Sequence, residues 1–303
     1  MKIAFIGSGR IGAAIAYTAA LKGLAREIIL TDISVEKAKG EALDIFQGQA
    51  FFPQTCIRHG EIEDTANSDI IVISAGIPRK ADELRVTLLS RNASLIADIT
   101  KKVVALSPQC ILLMITNPLD VMTSLAYRVS GLPAERVIGM GTVLDTARYR
   151  SYIARQFHVD ARDIDAYIVG EHGETMVPLV SNITIKGVPL PNLLNYEADA
   201  ITRIANGIRS ASSQVIALKG GTVFAPAIAA CTILEAIVHD SRQILPVSTF
   251  NKKYKTAVSL PTIVGRHGAG PHLVFPMSQA EEDALALSIA NIKKYVDEVD
   301  ILY

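Results

Sequence analysis

The 303-residue sequence predicts an α/β fold, a doubly wound and mostly parallel sheet followed by a second α+β lobe. Three observations carry that prediction. Short, wholly apolar runs alternate with helix-like segments through the first half. A glycine-rich turn follows the first of those runs directly, and after Gly141 the pattern changes to a hairpin, long helices and two extended strands. The length allows one doubly wound unit of about 150 residues plus a second lobe of similar size. We therefore expect lobes over residues 1–141 and 142–303.

Ile3 to Ile6 reads as the first strand, closed by Gly7-Ser8-Gly9, and the Pro-free, Ala- and Ile-rich stretch from Arg10 to Lys22 as the first helix. Glu27 to Thr31 is a second strand ending at Asp32. Ser34 caps the next helix, whose body is Lys37 to Phe46. Ile70 to Ile73 and Ile111 to Ile115 are buried strands, with a helix from Leu88 to Leu106 between them. Helix Val121 to Val129 and strand Val137-Ile138 complete the alternation, which favours a parallel sheet covered on both faces. Ile183 to Val188 is a hairpin turning at Lys186-Gly187. It is followed by helices over 197–218 and 226–238, strands over 244–250 and 256–264, and a closing helix over 281–299.

Composition narrows the function. Half of the residues are apolar and 20% are charged, which suits a large core. The 30 basic and 30 acidic side chains cancel, so no general field draws the chain to nucleic acid or to an anionic bilayer. Local arginines must hold any anionic ligand. Cys56, Cys110 and Cys231 form no close pair and read as buried thiols of a reducing compartment. Neither a signal-peptide pattern nor an apolar run of about eighteen residues is present, and a cytoplasmic protein is expected.

Gly7-Ser8-Gly9-Arg10-Ile11-Gly12 lies between a strand and a helix, where a Rossmann-type dinucleotide fingerprint belongs. Gly7 allows the tight turn, Gly9 lets the backbone approach a pyrophosphate, and Gly12 lets helix and strand pack closely. The helix amino end then offers free N–H groups to phosphate. Asp32, twenty residues beyond Gly12 at the end of the second strand, suits the 2′-hydroxyl of NAD and repels the 2′-phosphate of NADP. A second reading makes Asp32 the opening of a turn with Ser34.

Three segments are candidates for chemistry. His172, between glycines in Val169-Gly170-Glu171-His172-Gly173-Glu174, can present its ring to a cleft and exchange a proton near neutrality, or sit as a satisfied hinge residue. Asp145 and Arg148, three apart in Gly141-Thr142-Val143-Leu144-Asp145-Thr146-Ala147-Arg148, share a helix face. The alternative there is a helix start with Thr142 as cap and Asp145 completing a capping box. Arg79 and Arg85, in the segment after the strand at Ile73, clamp an anion or merely solubilise a loop. The scattered cysteines and histidines lack zinc-site spacing, so no metal is expected.

Taken together, these segments resemble the lactate/malate dehydrogenase family from Met1 to about Arg266. The matching pieces are Gly7-x-Gly9-x-x-Gly12, Asp32, Glu36-Lys37-Ala38-x-Gly40-Glu41-Ala42-x-Asp44, Asn117-Pro118-x-Asp120, Asp145-x-x-Arg148 and Gly170-Glu171-His172-Gly173. The resemblance implies an NAD-dependent oxidoreductase acting on a small 2-hydroxy or 2-oxo acid. His172 would transfer the proton, Asp145 orient it, Arg148 hold the C1 carboxylate, and Arg85 polarise the reacting oxygen. Asn117, expected to precede a cis proline, would lie near both substrate and nicotinamide. The implied cofactor contacts are Gly7, Ser8, Gly9, Arg10, Ile11, Gly12, Asp32, Ala75, Gly76, Asn92 and Asn117.

Within the family, Arg79 stands where malate enzymes carry an arginine for the second carboxylate, which favours (S)-malate and oxaloacetate. Two features point the other way. Lys80-Ala81-Asp82-Glu83-Leu84 lacks the usual Pro-Gly pair, and Thr222 falls where lactate enzymes carry threonine. L-lactate or a broad range of L-2-hydroxy acids is therefore the alternative substrate. A sugar-phosphate glycosidase would call for a longer chain and a Cys/His metal pair, and a non-catalytic NAD-binding protein would have no use for His172, Asp145, Arg148 and Arg85 together. The resemblance also implies a homodimer or homotetramer, with apolar residues of helices 34–49 and 225–238 serving either subunit contacts or the core.

Overall fold

The computed structural model describes residues 1–77, 85–193 and 196–300. Its first half is β1 (Lys2–Ile6), α1 (Arg10–Leu21), β2 (Glu27–Thr31), α2 (Val35–Gln47), β3 (Cys56–His59), β4 (Ile70–Ile73), α3 (Arg85–Leu106), β5 (Ile111–Met114), α4 (Leu119–Ser130) and β6 (Val137–Gly139). Strands β3, β2, β1, β4, β5 and β6 lie side by side in that order, all parallel. Every residue of β4 and β5 is buried, because helices cover both faces; that is why these strands read as unbroken apolar runs.

The second half begins with α5 (Val143–Phe157), then β7 (Ile164–Asp165), β8 (Ile168–Val169), β9 (Val177–Pro178), β10 (Thr184–Ile185) and β11 (Val188–Pro189). It ends with α6 (Ala198–Gly207), α7 (Ala211–Lys219), α8 (Phe224–Val238), β12 (Gln243–Asn251), β13 (Thr256–Gly265), β14 (Gly268–His272) and α9 (Gln279–Asp300). The predicted hairpin forms between β10 and β11, with Lys186 and Gly187 at φ of 50° and 80° in the turn. A Rossmann-type parallel half is thus followed by a second α/β lobe. The lobes share one sheet: β12 pairs antiparallel with β6, and β13 and β14 follow it to make nine strands.

Four local expectations are corrected. The helix expected over 197–218 is divided by a 3-10 turn at Ile208–Ser210, where the Ser210 hydroxyl donates to the Gly207 carbonyl and competes with the helix ladder. Strands β3 and β14 have no counterpart in the prediction, because Cys-Ile-Arg-His and Gly-Ala-Gly-Pro-His present no apolar run to read. Cys56 is exposed on the edge strand β3, whereas Cys110 and Cys231 are buried as expected. Thr142 precedes α5 without capping it, since its hydroxyl is drawn away to the Ile168 carbonyl.

The main core packs both faces of the large sheet. A smaller cluster gathers Tyr149 and Ile153 of α5, Ile164, Ile168, Met176, and Ile201 of α6. Both clusters hold α5 firmly, and α5 carries two of the candidate site residues. Among the described residues, no helix is long and apolar enough to cross a membrane.

Candidate active site

The turns after β1, β2, β4 and β5 all open at the carboxyl edge of the parallel sheet, where α/β folds take ligands. Gly7 has φ of 99°, and a Cβ there would stand 2.6 Å from the Ala75 nitrogen, so only glycine fits between the two turns. A Cβ at Gly12 would run into the Gly7 carbonyl oxygen. At Gly9 the surroundings are open, and the nearest atom to a built Cβ is Lys37 Nζ at 4.0 Å. Gly9 is also the N-cap of α1 and provides no side-chain cap, so the first-turn N–H groups face that opening unpaired.

This cradle fits a dinucleotide pyrophosphate: free helix amides, open space, and a lysine ammonium beside it. Lys37 is a contributor that the fingerprint does not show, because it comes from α2. Asp32 closes the turn and faces the cradle at once. Its Oδ2 accepts the Ser8 N–H at 2.7 Å and its Oδ1 the Ser34 N–H at 3.1 Å. The two readings of Asp32 are therefore compatible, since each carboxylate oxygen keeps a lone pair for a ribose hydroxyl. Asp32→Ser is expected to weaken NAD binding and to narrow the preference over NADP; titration of both cofactors checks it, and an unchanged ratio removes Asp32 from that role.

Farther along the edge, the buried Asn92 amide is committed to the Ile77 peptide, accepting its N–H at 2.8 Å. Asn92 thus helps to shape the turn at Ala75 and Gly76. Thr116 Oγ1 donates to the Ala75 carbonyl at 2.6 Å and ties this turn to the next one. Asn117 is exposed, and its bond to Pro118 is cis.

The chemical centre is built by α5 and the loop after β8. Ile168 of β8 is held at both polar atoms by hydroxyls one helical turn apart: Thr142 Oγ1 donates to its carbonyl and Thr146 Oγ1 accepts its N–H at 3.0 Å. Between those threonines sits Asp145, 1% exposed. Its Oδ2 lies 2.6 Å from His172 Nδ1, and its Oδ1 accepts from Arg148 Nη1 at 3.2 Å. His172 and Arg148 keep side-chain exposures of 16% and 13%, enough for each to present an edge to a small molecule. Burial by itself would lower the imidazole pKa, but the Asp145 carboxylate outweighs it and raises the His172 pKa. Burial likewise opposes ionisation of Asp145, and His172 and Arg148 nevertheless hold it below the usual carboxylate range.

The His172 loop is fixed from three further sides. The Gly170 N–H and carbonyl both pair with Ser259 of β13. Glu171 accepts from Thr175 and from Asn291 of α9, while its own N–H donates to Ser288 Oγ at 2.8 Å. Asp120 Oδ2 accepts the His172 N–H at 2.7 Å. Apart from the Glu171–Thr175 contact, none of these follows from spacing, since the other partners lie from 52 to 120 residues away. Asp120 is marked in the sequence by the family piece Asn117-Pro118-x-Asp120, whereas Ser288 shows only as a serine in an otherwise apolar helix segment.

His172, Asp145 and Arg148 are thus brought together. Thr222 is half-buried in the loop between α7 and α8, with no hydrogen bond to that cluster among the described residues. Arg79, the segment 80–84 and the Arg85 side chain lie outside the described residues; the Arg85 backbone begins α3. Among the described residues, no group of three or more His, Cys, Asp or Glu is placed to hold a metal.

Two family descriptions match this chain. Residues 1–139 match the NAD binding domain of lactate/malate dehydrogenase, and residues 142–301 its alpha/beta C-terminal domain. An L-lactate dehydrogenase of Thermoanaerobacter sp. (strain X514) is 41% identical over 309 aligned positions, covering 99% of each chain. One from Thermus aquaticus is 36% identical, covering 97% of each. Among solved structures, a lactate dehydrogenase from a Medee basin deep-sea metagenome library superposes with a TM-score of 0.96 at 32% identity, covering 99% of this chain and 98% of that one. The minor L-lactate dehydrogenase of Enterococcus mundtii gives 0.95 at 31%, covering 98% of both. These relatives overturn the expectation of malate. That expectation rested on Arg79, a single side chain, whereas the alignments to lactate enzymes cover nearly the full length of both lobes.

Proposed function

Because the chain belongs to the lactate/malate dehydrogenase family, we propose that it is an L-lactate dehydrogenase, interconverting pyruvate and L-lactate with NAD. The observation that carries the chemistry is the buried carboxylate of Asp145, shared by an imidazole and a guanidinium that each keep one open edge. The full-length likeness to enzymes named for L-lactate supports the substrate, and Thr222 agrees with it.

When bound, the reduced cofactor supplies a hydride to the 2-oxo carbon. The chain supplies the proton and the charge. Asp145 occupies His172 Nδ1, so the exchangeable proton is carried on Nε2. Reduction requires His172 as imidazolium, which the neighbouring carboxylate favours; oxidation requires the neutral ring as base. Arg148 gives one N–H to Asp145 and retains the rest of its fork for the C1 carboxylate in two parallel bonds. Arg85, at the first turn of α3, polarises the oxygen that gains negative charge. The same reading implies a homodimer or homotetramer, for which the exposed Leu43 and Phe46 of α2 and Phe224 and Ile228 of α8 supply apolar surface.

The test is a set of parallel initial rates with NADH and pyruvate, oxaloacetate or 2-oxoisocaproate. Pyruvate is expected to give the highest kcat/KM. A higher value with either of the other acids overturns the substrate, and no turnover with any of them overturns the enzyme.

A further inference from the structure

Asp120 is a second carboxylate at the His172 loop, and the reaction above makes no use of it. It stands in the first turn of α4, three residues after Asn117, and is 2% exposed. Oδ2 accepts the His172 backbone N–H at 2.7 Å. Oδ1 accepts Ser248 Oγ of β12 at 2.6 Å and, more distantly, Ser259 Oγ of β13 at 3.5 Å. One side chain therefore joins the turn at Asn117, the loop of His172 and the antiparallel strands of the second lobe.

These hydrogen bonds need no charge. An amide in the same place accepts from His172 through its oxygen and donates to Ser248 through its nitrogen. What a carboxylate adds is a buried negative charge one hydrogen bond from the His172 backbone and within electrostatic reach of its imidazole, at a desolvation cost that a purely structural anchor has no reason to carry. We propose that Asp120 is a positioning residue that fixes the His172 backbone and, by its charge, stabilises the imidazolium alongside Asp145. The proposal rests on His172 as the proton carrier.

The charged groups acting on Asp120 are His172 and Glu171 of the loop, while Asp145 and Arg148 of α5 also act on His172. Ser248 and Ser259, facing it from β12 and β13, are neutral. Burial pushes the Asp120 carboxyl up to about 6, against the bonds from Ser248 and the His172 amide. It therefore takes up its proton at higher pH than an ordinary carboxyl, so its support for the imidazolium is present above that midpoint and fades as pH falls through it.

The test is an NMR titration of the imidazole Cε1–H resonances of the apoenzyme, with that of His172 identified by its loss in H172Q. D120N, which keeps the hydrogen bonds, is expected to lower the His172 midpoint by about half a unit, roughly a threefold change in the imidazolium fraction above it. The wild-type resonance is expected to show a second, smaller inflection near pH 6, a readout that needs no variant. An unchanged midpoint in folded D120N overturns the proposal, and so does a wild-type curve that stays single-site down to the onset of acid unfolding. Because neither measurement uses turnover, a shifted midpoint in a protein inactive on every 2-oxo acid would sink the proposed reaction and leave the pairing of Asp120 with His172 standing.

Discussion

Replacing His172 with glutamine is expected to lower kcat for pyruvate reduction on the order of 10²–10⁴-fold while leaving NADH affinity nearly unchanged. Glutamine fills similar space and can still donate to Asp145 Oδ2, but it carries no exchangeable proton of suitable pKa. Stopped-flow reduction and NADH fluorescence titration separate the two effects. A loss of NADH binding equal to the loss of rate would mean that the substitution acts on the fold.

The same residue fixes the sign of the pH dependence. Asp145 holds the His172 pKa above its ordinary 6.5, so the imidazolium persists to higher pH than a free histidine would allow. Reduction should be fast below that raised midpoint and fall as pH rises through it, while oxidation of L-lactate should rise through the same midpoint. A profile for either direction that is flat from pH 6 to 9 contradicts the assignment.

Substituting Arg148 by lysine should leave the net charge intact and still cost about 2–5 kcal/mol of transition-state binding, or roughly 30-fold to several thousand-fold in kcat/KM. The reason is shape. Lysine presents a compact ammonium, whereas guanidinium offers a planar fork that can satisfy Asp145 on one edge and a substrate carboxylate on another. Most of the loss should fall on KM if the carboxylate is held equally in ground and transition states. A kcat/KM within threefold of wild type would remove Arg148 from the substrate.

Particular residues show how far the sequence could be read. The fingerprint Gly7-x-Gly9-x-x-Gly12 with Asp32 is local: strand, turn and helix are adjacent in the chain, so their geometry is encoded within about thirty residues. The Asp145–Arg148 pair is equally local, one turn of α5 apart. The link from Asp145 to His172 is not, because the two stand 27 positions apart with two strands between them, and only similarity to a family suggested it. Arg79 shows the converse, where one residue legible in the sequence pointed to an acid that the full-length likeness to L-lactate enzymes contradicts.

By itself, the sequence determined the parallel α/β half, the dinucleotide turn and the identity of the groups able to move a proton and hold an anion. These depend on apolar periodicity, on glycine's backbone freedom and on side-chain chemistry, all carried within short stretches of chain. Only the tertiary structure decided that β12 to β14 complete the same sheet, that Thr142 and Thr146 hold α5 against β8, and that Asp120, Glu171, Ser259 and Ser288 hold the His172 loop. Each of those is a pairing of buried polar groups distant in sequence. Which donor meets which acceptor is settled when packing excludes water, since a buried polar group left without a partner costs more than most contacts supply.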